Sequence, residues 1–470
     1  MKFEFFHLMP YRDLPPDFAE TNNSVWVDVD SRLFDPAKAH EMYNDGLDEL
    51  EAAAAAGYDG ICINEHHQNA YGLMPSPNLM AANLCRRTKD VAIVVLGNSI
   101  ALYNPPTRVA EEFAMLDCIS GGRLVAGFPV GTPMDDCFCY GANPSHLRDK
   151  YYEAADVITQ AWTRPEVFSY NGRYNQLRYI NIWPRPIQQP HPPVWIPGGG
   201  SVETWEWCAD NNYVYCYLSY GGYKAGQKNV DGFWRTMQQR EKPLNPYHAG
   251  FLQLVAVGET EQEVADKFGP HAEYFYNKML HIDPRYADPP GYRTVRTIEQ
   301  GFTRSQGLKP VFGDSKKFEG EKTAEKMVES KANSEITWND LIREGNIVAG
   351  TPSQVTEQLE EVIRTLHVGH LMILNQFGSI PKELAIPNIE MTAQQVLPNL
   401  KHIWDDEGWE DHWWPQGMET GQADPARLFL NPPSPPPPPR GGVLAAALGG
   451  HTPAGGGRGA PPLRRILDRR

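Results

Sequence analysis

Short apolar runs alternate with longer amphipathic ones along most of this chain, and that rhythm limits the fold more than any other feature. It is the pattern of strands and crossover helices in a parallel sheet. Strands are predicted at 3–9, 59–64, 90–97, 123–128, 193–197, 213–217, 250–257 and 371–374. Helices are predicted near 37–56, 75–88, 106–119, 147–163, 201–210, 225–240, 260–280 and 383–400. Asp35-Pro36 offers an N-cap followed by proline at the first helical position, and Gly57 sits where a C-terminal cap belongs. Eight strand–helix units close a (β/α)8 barrel more naturally than they build an open doubly wound sheet. The predicted class is therefore α/β, a TIM barrel, although counting alone leaves the open sheet possible.

Two stretches break the rhythm. Residues 164–192, with "FSYNGRYNQL" and "WPRPIQQPHPP", read as a small hairpin and a proline-stiffened return. Residues 281–350, with "DPRYADPPGYR" and "GDSKKFEGEKTAEK", are too long for an ordinary connection and read as a lid or substrate-shaping insertion. Both would decorate one barrel spanning 1–420. From 421 the composition turns to "NPPSPPPPPRGG" and "TPAGGGRGAPPLRR", which cannot bury enough apolar surface to offset ordering entropy, so 421–470 is expected to be a disordered tail. That tail carries seven arginines between Arg427 and Arg470 against two acids, Asp424 and Asp468.

Composition excludes some functions. At 470 residues and a formal charge of −15, the chain lacks the cationic excess of a nucleic-acid or anionic-membrane surface. No apolar run approaches a membrane span, and "MKFEFFHLMP" has neither the h-region nor the cleavage site of a signal peptide, so a cytoplasmic location is expected. The seven cysteines are scattered through apolar segments without metal or disulfide spacing, as expected of reduced, partly buried thiols.

Three stretches could carry chemistry. In "ICINEHHQNAYG", Glu65, His66 and His67 follow an apolar run. Adjacent strand residues point to opposite faces, so His66 and His67 cannot chelate one metal in regular strand geometry, and no metal is expected. If the strand ends near Asn64, the trio lies at its C-terminal end, where barrel enzymes hold their active sites. There a histidine can shuttle a proton and a carboxylate can fix its tautomer; equally, a histidine can simply cap the turn. In "VWIPGGGSVETWEW", a strand runs into glycines, with Ser201 at a helix start. Such a turn presents backbone donors and a positive dipole to a phosphate, though it is neither a Walker loop nor a G-x-G-x-x-G fingerprint. In "NPPTRVAEEFAMLDCISGGRLVAGFPVG", a helix burying Val109, Phe113, Leu116 and Ile119 stops at Gly121-Gly122 and feeds a strand, which is mostly scaffold.

Taken together, "GYDGICINEHH", "LGNSIALYNPPTRVAEEFAMLDCISGGRLVAGFPVG", "QQPHPPVWIPGGGSVETWEW" and "AGTPSQVTEQLEEVIRTLHVGHLMIL" resemble the bacterial luciferase-like, flavin-dependent monooxygenases, in order and spacing across most of residues 1 to 400. The resemblance implies a (β/α)8 barrel that binds reduced FMN at its C-terminal face and oxygenates a small organic substrate with dioxygen. It implies that a separate NAD(P)H-dependent flavin reductase supplies the reduced flavin, and that the chain forms a homodimer through the second and third barrel helices. By position, His66 matches the family's active-site histidine, flanked by Glu65 and His67. Gly199, Gly200, Ser201 and Thr204 match the turn that holds the FMN phosphate. Asn98, Ser99 and Ile100 fall where the third strand passes the flavin ring, with Ser99–Ile100 the expected place for a non-proline cis peptide. One departure stands out: where the family carries a phosphate-gripping arginine after strand 4, this chain has Val130, which supplies no bidentate contact. Arg148, Lys150, Arg173 and Arg178 are candidates to replace it.

Two other functions stay open. Relatives on this barrel use a deazaflavin for hydride transfer, and the missing arginine leaves room for that cofactor. Paralogues can also serve as non-catalytic partner subunits, against which the intact "EHH" and "GGGS" argue. Phe6, Tyr103, Trp195, Tyr215, Tyr217 and Tyr220 near the expected pocket suggest an apolar or aromatic guest, or else fill an ordinary barrel core.

Overall fold

A computed structural model of the chain describes residues 1–304, 311–312, 335–415 and 418. Eight parallel strands close a barrel: β1 (Lys2–Phe6), β2 (Gly60–Ile63), β3 (Ala92–Val95), β4 (Leu124–Gly127), β5 (Val194–Gly198), β6 (Val214–Tyr217), β7 (Ala249–Val257) and β8 (His370–Leu374). Each pairs in parallel with the next, and β8 returns to β1, with Lys2 opposite His370 and Phe5 opposite Ile373. Helices follow the strands and cover the outside, so β2, β3 and β4 are buried throughout.

Local chemistry explains the element ends. The helix Pro36–Ala56 starts where the Asp35 carboxylate accepts from the Ala37 and Lys38 N–H groups, and it ends at Gly57 with φ of 105°. The helix Thr107–Ser120 ends at Gly121 in the left-handed region, as expected. Its outer face differs from expectation: Ile119 is 39% exposed while Val109, Phe113 and Leu116 are buried. β1 stops at Phe6, because His7 turns toward Glu49 and Met9 takes φ of 53°.

Residues 164–192 hold the expected hairpin, Phe168–Asn171 against Gln176–Ile180. The stretch between β7 and β8 contains more order than expected. A ninth strand, Ile347–Gly350, pairs in parallel with the outer half of β7, beyond the part that β6 covers. The helix Pro352–Leu366 follows, opened by a capping box in which Thr351 and Gln354 bond reciprocally. The run "GDSKKFEGEKTAEK" and the tail 421–470 lie outside the described residues. No helix among the described residues is long and apolar enough to cross a membrane.

The barrel interior is plugged at its N-terminal end. Trp195 packs against His370, ring centroids 4.4 Å apart, and its indole N–H donates to the Trp413 carbonyl. Trp195 therefore fills the base and does not line a pocket at the opposite rim. Tyr215 and Tyr217 share the other face of β6. They pack on Phe233 and on Gly226 of the helix Gly222–Gln239, so they belong to the layer between barrel and helices.

Candidate functional site

Every predicted site residue sits just past the C-terminal end of a barrel strand: Glu65, His66 and His67 after β2, Asn98 to Ile100 after β3, and Gly199 to Thr204 after β5. The common strand direction delivers them to one rim. Glu65 is the buried hub. Its Oε1 accepts from His67 Nε2 at 2.8 Å, and its Oε2 accepts from the Ser99 N–H at 2.6 Å and Asn98 Nδ2 at 3.0 Å. The Tyr103 hydroxyl approaches the same carboxylate at 3.3 Å. One side chain thus ties the turn after β2 to the turn after β3.

These bonds correct the expected backbone at Ser99. Ser99–Ile100 is not cis; among the described residues the cis bonds all precede proline. Ser99 instead meets the Glu65 carboxylate through its N–H and leads into a 3-10 turn, Ile100–Leu102, so no costly isomer is needed to turn the chain.

The two imidazoles diverge. His67 is buried between Glu65 and the Tyr140 hydroxyl, with Nδ1 to Oη at 3.1 Å. Facing a carboxylate, its Nε2 carries the proton and its Nδ1 accepts. His66 turns instead to Asp135, its Nδ1 3.0 Å from Oδ2. By the same logic Nδ1 holds a proton there and the Nε2 lone pair is left to other partners. Trp26 and Tyr71 pack edge-on to the His66 ring, with centroids 4.8 and 5.0 Å away. Gly72 completes the clamp, since a Cβ there would lie 3.1 Å from His66 Cδ2.

Asp135 was not singled out from the sequence, yet it organises this cluster. It is 1% exposed. It accepts from the His67 N–H at 2.7 Å, Trp26 Nε1 at 3.0 Å and the Thr132 hydroxyl at 3.1 Å. Three donors besides His66 hold it in place, so it can orient His66 with little freedom of its own. The adjacent acids of "MDDC" just past β4 were a visible signal. Trp26 arrives from a distant loop through a bridge with Asn69 and left none. The neighbouring Asp136 is buried with both carboxylate oxygens unpartnered among the described residues. Burial first, then the nearby Asp135 and Glu65, push its carboxyl well above the usual range.

The turn after β5 meets a cation. Arg148, on the helix Pro144–Thr163, donates to Ser201 Oγ at 3.1 Å and Thr204 Oγ1 at 3.3 Å. Among the four basic candidates it is the one that reaches this turn; Arg173 lies beside Asp149 on the surface. Among the described residues Arg148 has no carboxylate within ion-pairing distance. Ser201 stands at the N-cap position of the helix Val202–Asn211 but makes no side-chain cap, its hydroxyl going 2.9 Å to Glu203 instead. Val130 is buried and apolar in the loop after β4.

Of the six aromatic residues suggested as pocket lining, Tyr103 joins Glu65, and Tyr220 bonds Tyr71, which packs on His66. Phe6 lies on the interior face of β1, the face of Glu4. A cleft lined by His7, Arg12, Asp45, Glu49 and Gln376 opens beside the end of β1.

Residues 22–368 match the sequence model of the luciferase-like monooxygenases. A curated relative, the flavin-dependent trigonelline monooxygenase, oxygenase component, of Acinetobacter baylyi, is 28% identical over 259 residues, 54% of this chain and 69% of that protein. Among solved structures, the oxygenating constituent of 3,6-diketocamphane monooxygenase of Pseudomonas putida, in complex with FMN, has a TM-score of 0.58 at 15% identity, covering 85% of this chain and 98% of that one. An F420-dependent secondary alcohol dehydrogenase has a TM-score of 0.54 at 16% identity over 85% of this chain and 98% of its own. At these identities the two structures show a shared fold.

Proposed function

The chain belongs to the luciferase-like monooxygenase family, and from that premise we propose that it uses reduced FMN and dioxygen to oxygenate a small organic substrate. The observation that carries this reading is the pairing of His66 with a fixed carboxylate on the same rim as the Arg148–Ser201–Thr204 set. Beside a phosphate this set places a guanidinium fork, the Thr204 hydroxyl and the start of a ten-residue helix, while the Ser201 hydroxyl already donates to Glu203. Asn98, Ser99, Ile100, Gly199 and Gly200 would border the rest of the flavin. When bound, reduced flavin supplies the electrons that activate dioxygen.

The chain's own residues have definable tasks. His66 Nε2 accepts or returns a proton, and Asp135 stabilises the imidazolium that results. Glu65 positions: it locks His67 and the Ser99 turn so that the rim keeps its shape. Trp26, Tyr71, Tyr103 and Tyr220 narrow the approach to His66, exclude water and favour an apolar or aromatic guest.

A separate flavin reductase is part of the reading, supported by the relative described as an oxygenase component. Exposed Leu79, Met115 and Ile119 on the helices Pro77–Arg87 and Thr107–Ser120 support pairing of two copies there. Hydride transfer with a deazaflavin is the second reading. Val130 favours it, since the loop after β4 offers no second cation to a phosphate, and an F420-dependent dehydrogenase shares the fold. A non-catalytic subunit would keep full activity of its complex after His66→Ala and Ser201→Ala.

Oxygen uptake decides among these. With NADH, FMN and a flavin reductase, the protein should bind reduced FMN and couple oxygen consumption to loss of an aromatic or apolar substrate. Oxygen-independent oxidation of an alcohol with the deazaflavin would move the assignment to the second reading.

A further inference from the structure

The place where a cofactor phosphate would sit already holds an anion. Glu203, in the first turn of the helix Val202–Asn211, directs its carboxylate back to the helix start. Its Oε2 accepts from Ser201 Oγ at 2.9 Å and Thr297 Oγ1 at 2.7 Å, and its Oε1 accepts from Thr294 Oγ1 at 2.6 Å. It also takes a hydrogen bond from its own backbone N–H. Burial alone would push its carboxyl up, but the hydroxyls of Thr294 and Thr297, that N–H and Ser201 bring it down to about 2. Glu203 is therefore ionised at neutral pH and shares Ser201 with Arg148. Thr294 and Thr297 belong to the segment between β7 and β8, and Arg296 fastens that segment to Glu206 on the same helix.

Two residues act in one direction. Val130 supplies no cation where the family resemblance expects one, and Glu203 adds an anion beside Ser201, leaving Arg148 to balance it one to one. We propose that Glu203 sets the charge this subsite accepts, so that a flavin with an uncharged tail binds about as well as one with a doubly charged phosphate monoester. The inference rests on the flavin reading above and deepens it. A tail dianion arriving at Ser201 meets like charge at hydrogen-bond range, and the repulsion cancels much of what Arg148 and the helix dipole contribute. The flavin is then held by its ring and exchanges readily, as suits a cofactor that arrives reduced from another protein.

The test is an anaerobic titration of reduced FMN and reduced riboflavin into three proteins: wild type, Glu203→Gln, and the Thr294→Val/Thr297→Val double variant. Wild type should bind the two flavins within about tenfold of one another, and Glu203→Gln should tighten FMN at least about tenfold while leaving riboflavin unchanged. The double variant loosens the strap but keeps the charge, so it should not gain FMN selectivity. That arm separates charge from opening of the strap and serves if Glu203→Gln folds poorly. Equal effects of Glu203→Gln on both flavins, strong FMN preference in wild type, or FMN selectivity in the double variant would each overturn the inference while leaving the flavin reading intact. If neither flavin binds wild type, the functional reading itself fails and takes this inference with it.

Discussion

Replacing Asp135 with asparagine should switch the protonation of His66 without disturbing the fold. Asparagine keeps an oxygen where Oδ1 accepts from His67 N–H and Trp26 Nε1, so the bonds at 2.7 and 3.0 Å survive. Its amide group takes the place of Oδ2 and confronts His66 Nδ1 and the Thr132 hydroxyl, now 3.0 and 3.1 Å from an oxygen. The hydroxyl can rotate to accept. The imidazole can avoid a donor–donor clash only by moving its proton from Nδ1 to Nε2. His66 then offers no lone pair at Nε2, and an imidazolium loses its charged acceptor. A hydrogen bond to a charged group contributes about 1.5–3 kcal/mol, which corresponds to a loss of about 10- to 100-fold in any step that charges His66. Nitrogen-15 shifts of His66 read the tautomer directly, and stopped-flow reoxidation of protein-bound reduced FMN reads the rate. The expected result is a switched tautomer, a slowed reaction and FMN affinity within about threefold of wild type. An unchanged rate in a folded variant with the switched tautomer would refute the role assigned to the His66–Asp135 pair.

Other consequences are open to measurement. Gly72→Ala puts a Cβ 3.0 Å from the Leu8 carbonyl and 3.1 Å from the His66 ring; thermal unfolding should show a loss of about 1–3 kcal/mol, with slower chemistry and little change in FMN affinity. Arg148→Ala removes the cation beside Ser201 and should weaken reduced FMN by about 10- to 100-fold in equilibrium titration, with riboflavin unaffected. Burial against Trp413 pulls His248 down to about 3 from its usual 6.5, aided by Lys242 and opposed by a backbone bond. The folded state thus binds fewer protons than the unfolded chain, so this group's stability contribution is full above pH 6.5 and shrinks by about 1.4 kcal/mol per pH unit below it, toward pH 3. Denaturant titrations between pH 7 and 5 should show stability falling with pH, and the fall should be shallower in His248→Gln.

The barrel was legible because a buried parallel strand must be a short apolar run and its crossover helix an amphipathic one, and all eight predicted strands overlap the eight that close the sheet. The helix Pro352–Leu366 was missed although Thr351-Pro352 with Gln354 spells a capping box; its strand partner Ile347–Gly350 is only four residues long. At the site, the residues following strands were readable, since strand ends are where barrels place side chains for use. Partnerships were not. That Glu65 serves Ser99, that Asp135 takes His66, and that Arg148 reaches Ser201 and Thr204 all depend on loop paths no periodicity encodes. The aromatic residues show the same limit: Trp195 and Tyr220 look alike in the sequence, and strand position alone sends one to the base and the other to the rim.

His66 and the Arg148–Ser201–Thr204 set are proposed to serve the same flavin. A crystal structure of the anaerobic complex with reduced FMN tests this proposal most directly. The expected result is the ring beside His66 Nε2 and the ribityl tail running to Ser201. Flavin bound elsewhere, or seated with His66 and Ser201 on separate molecules of ligand, would contradict it.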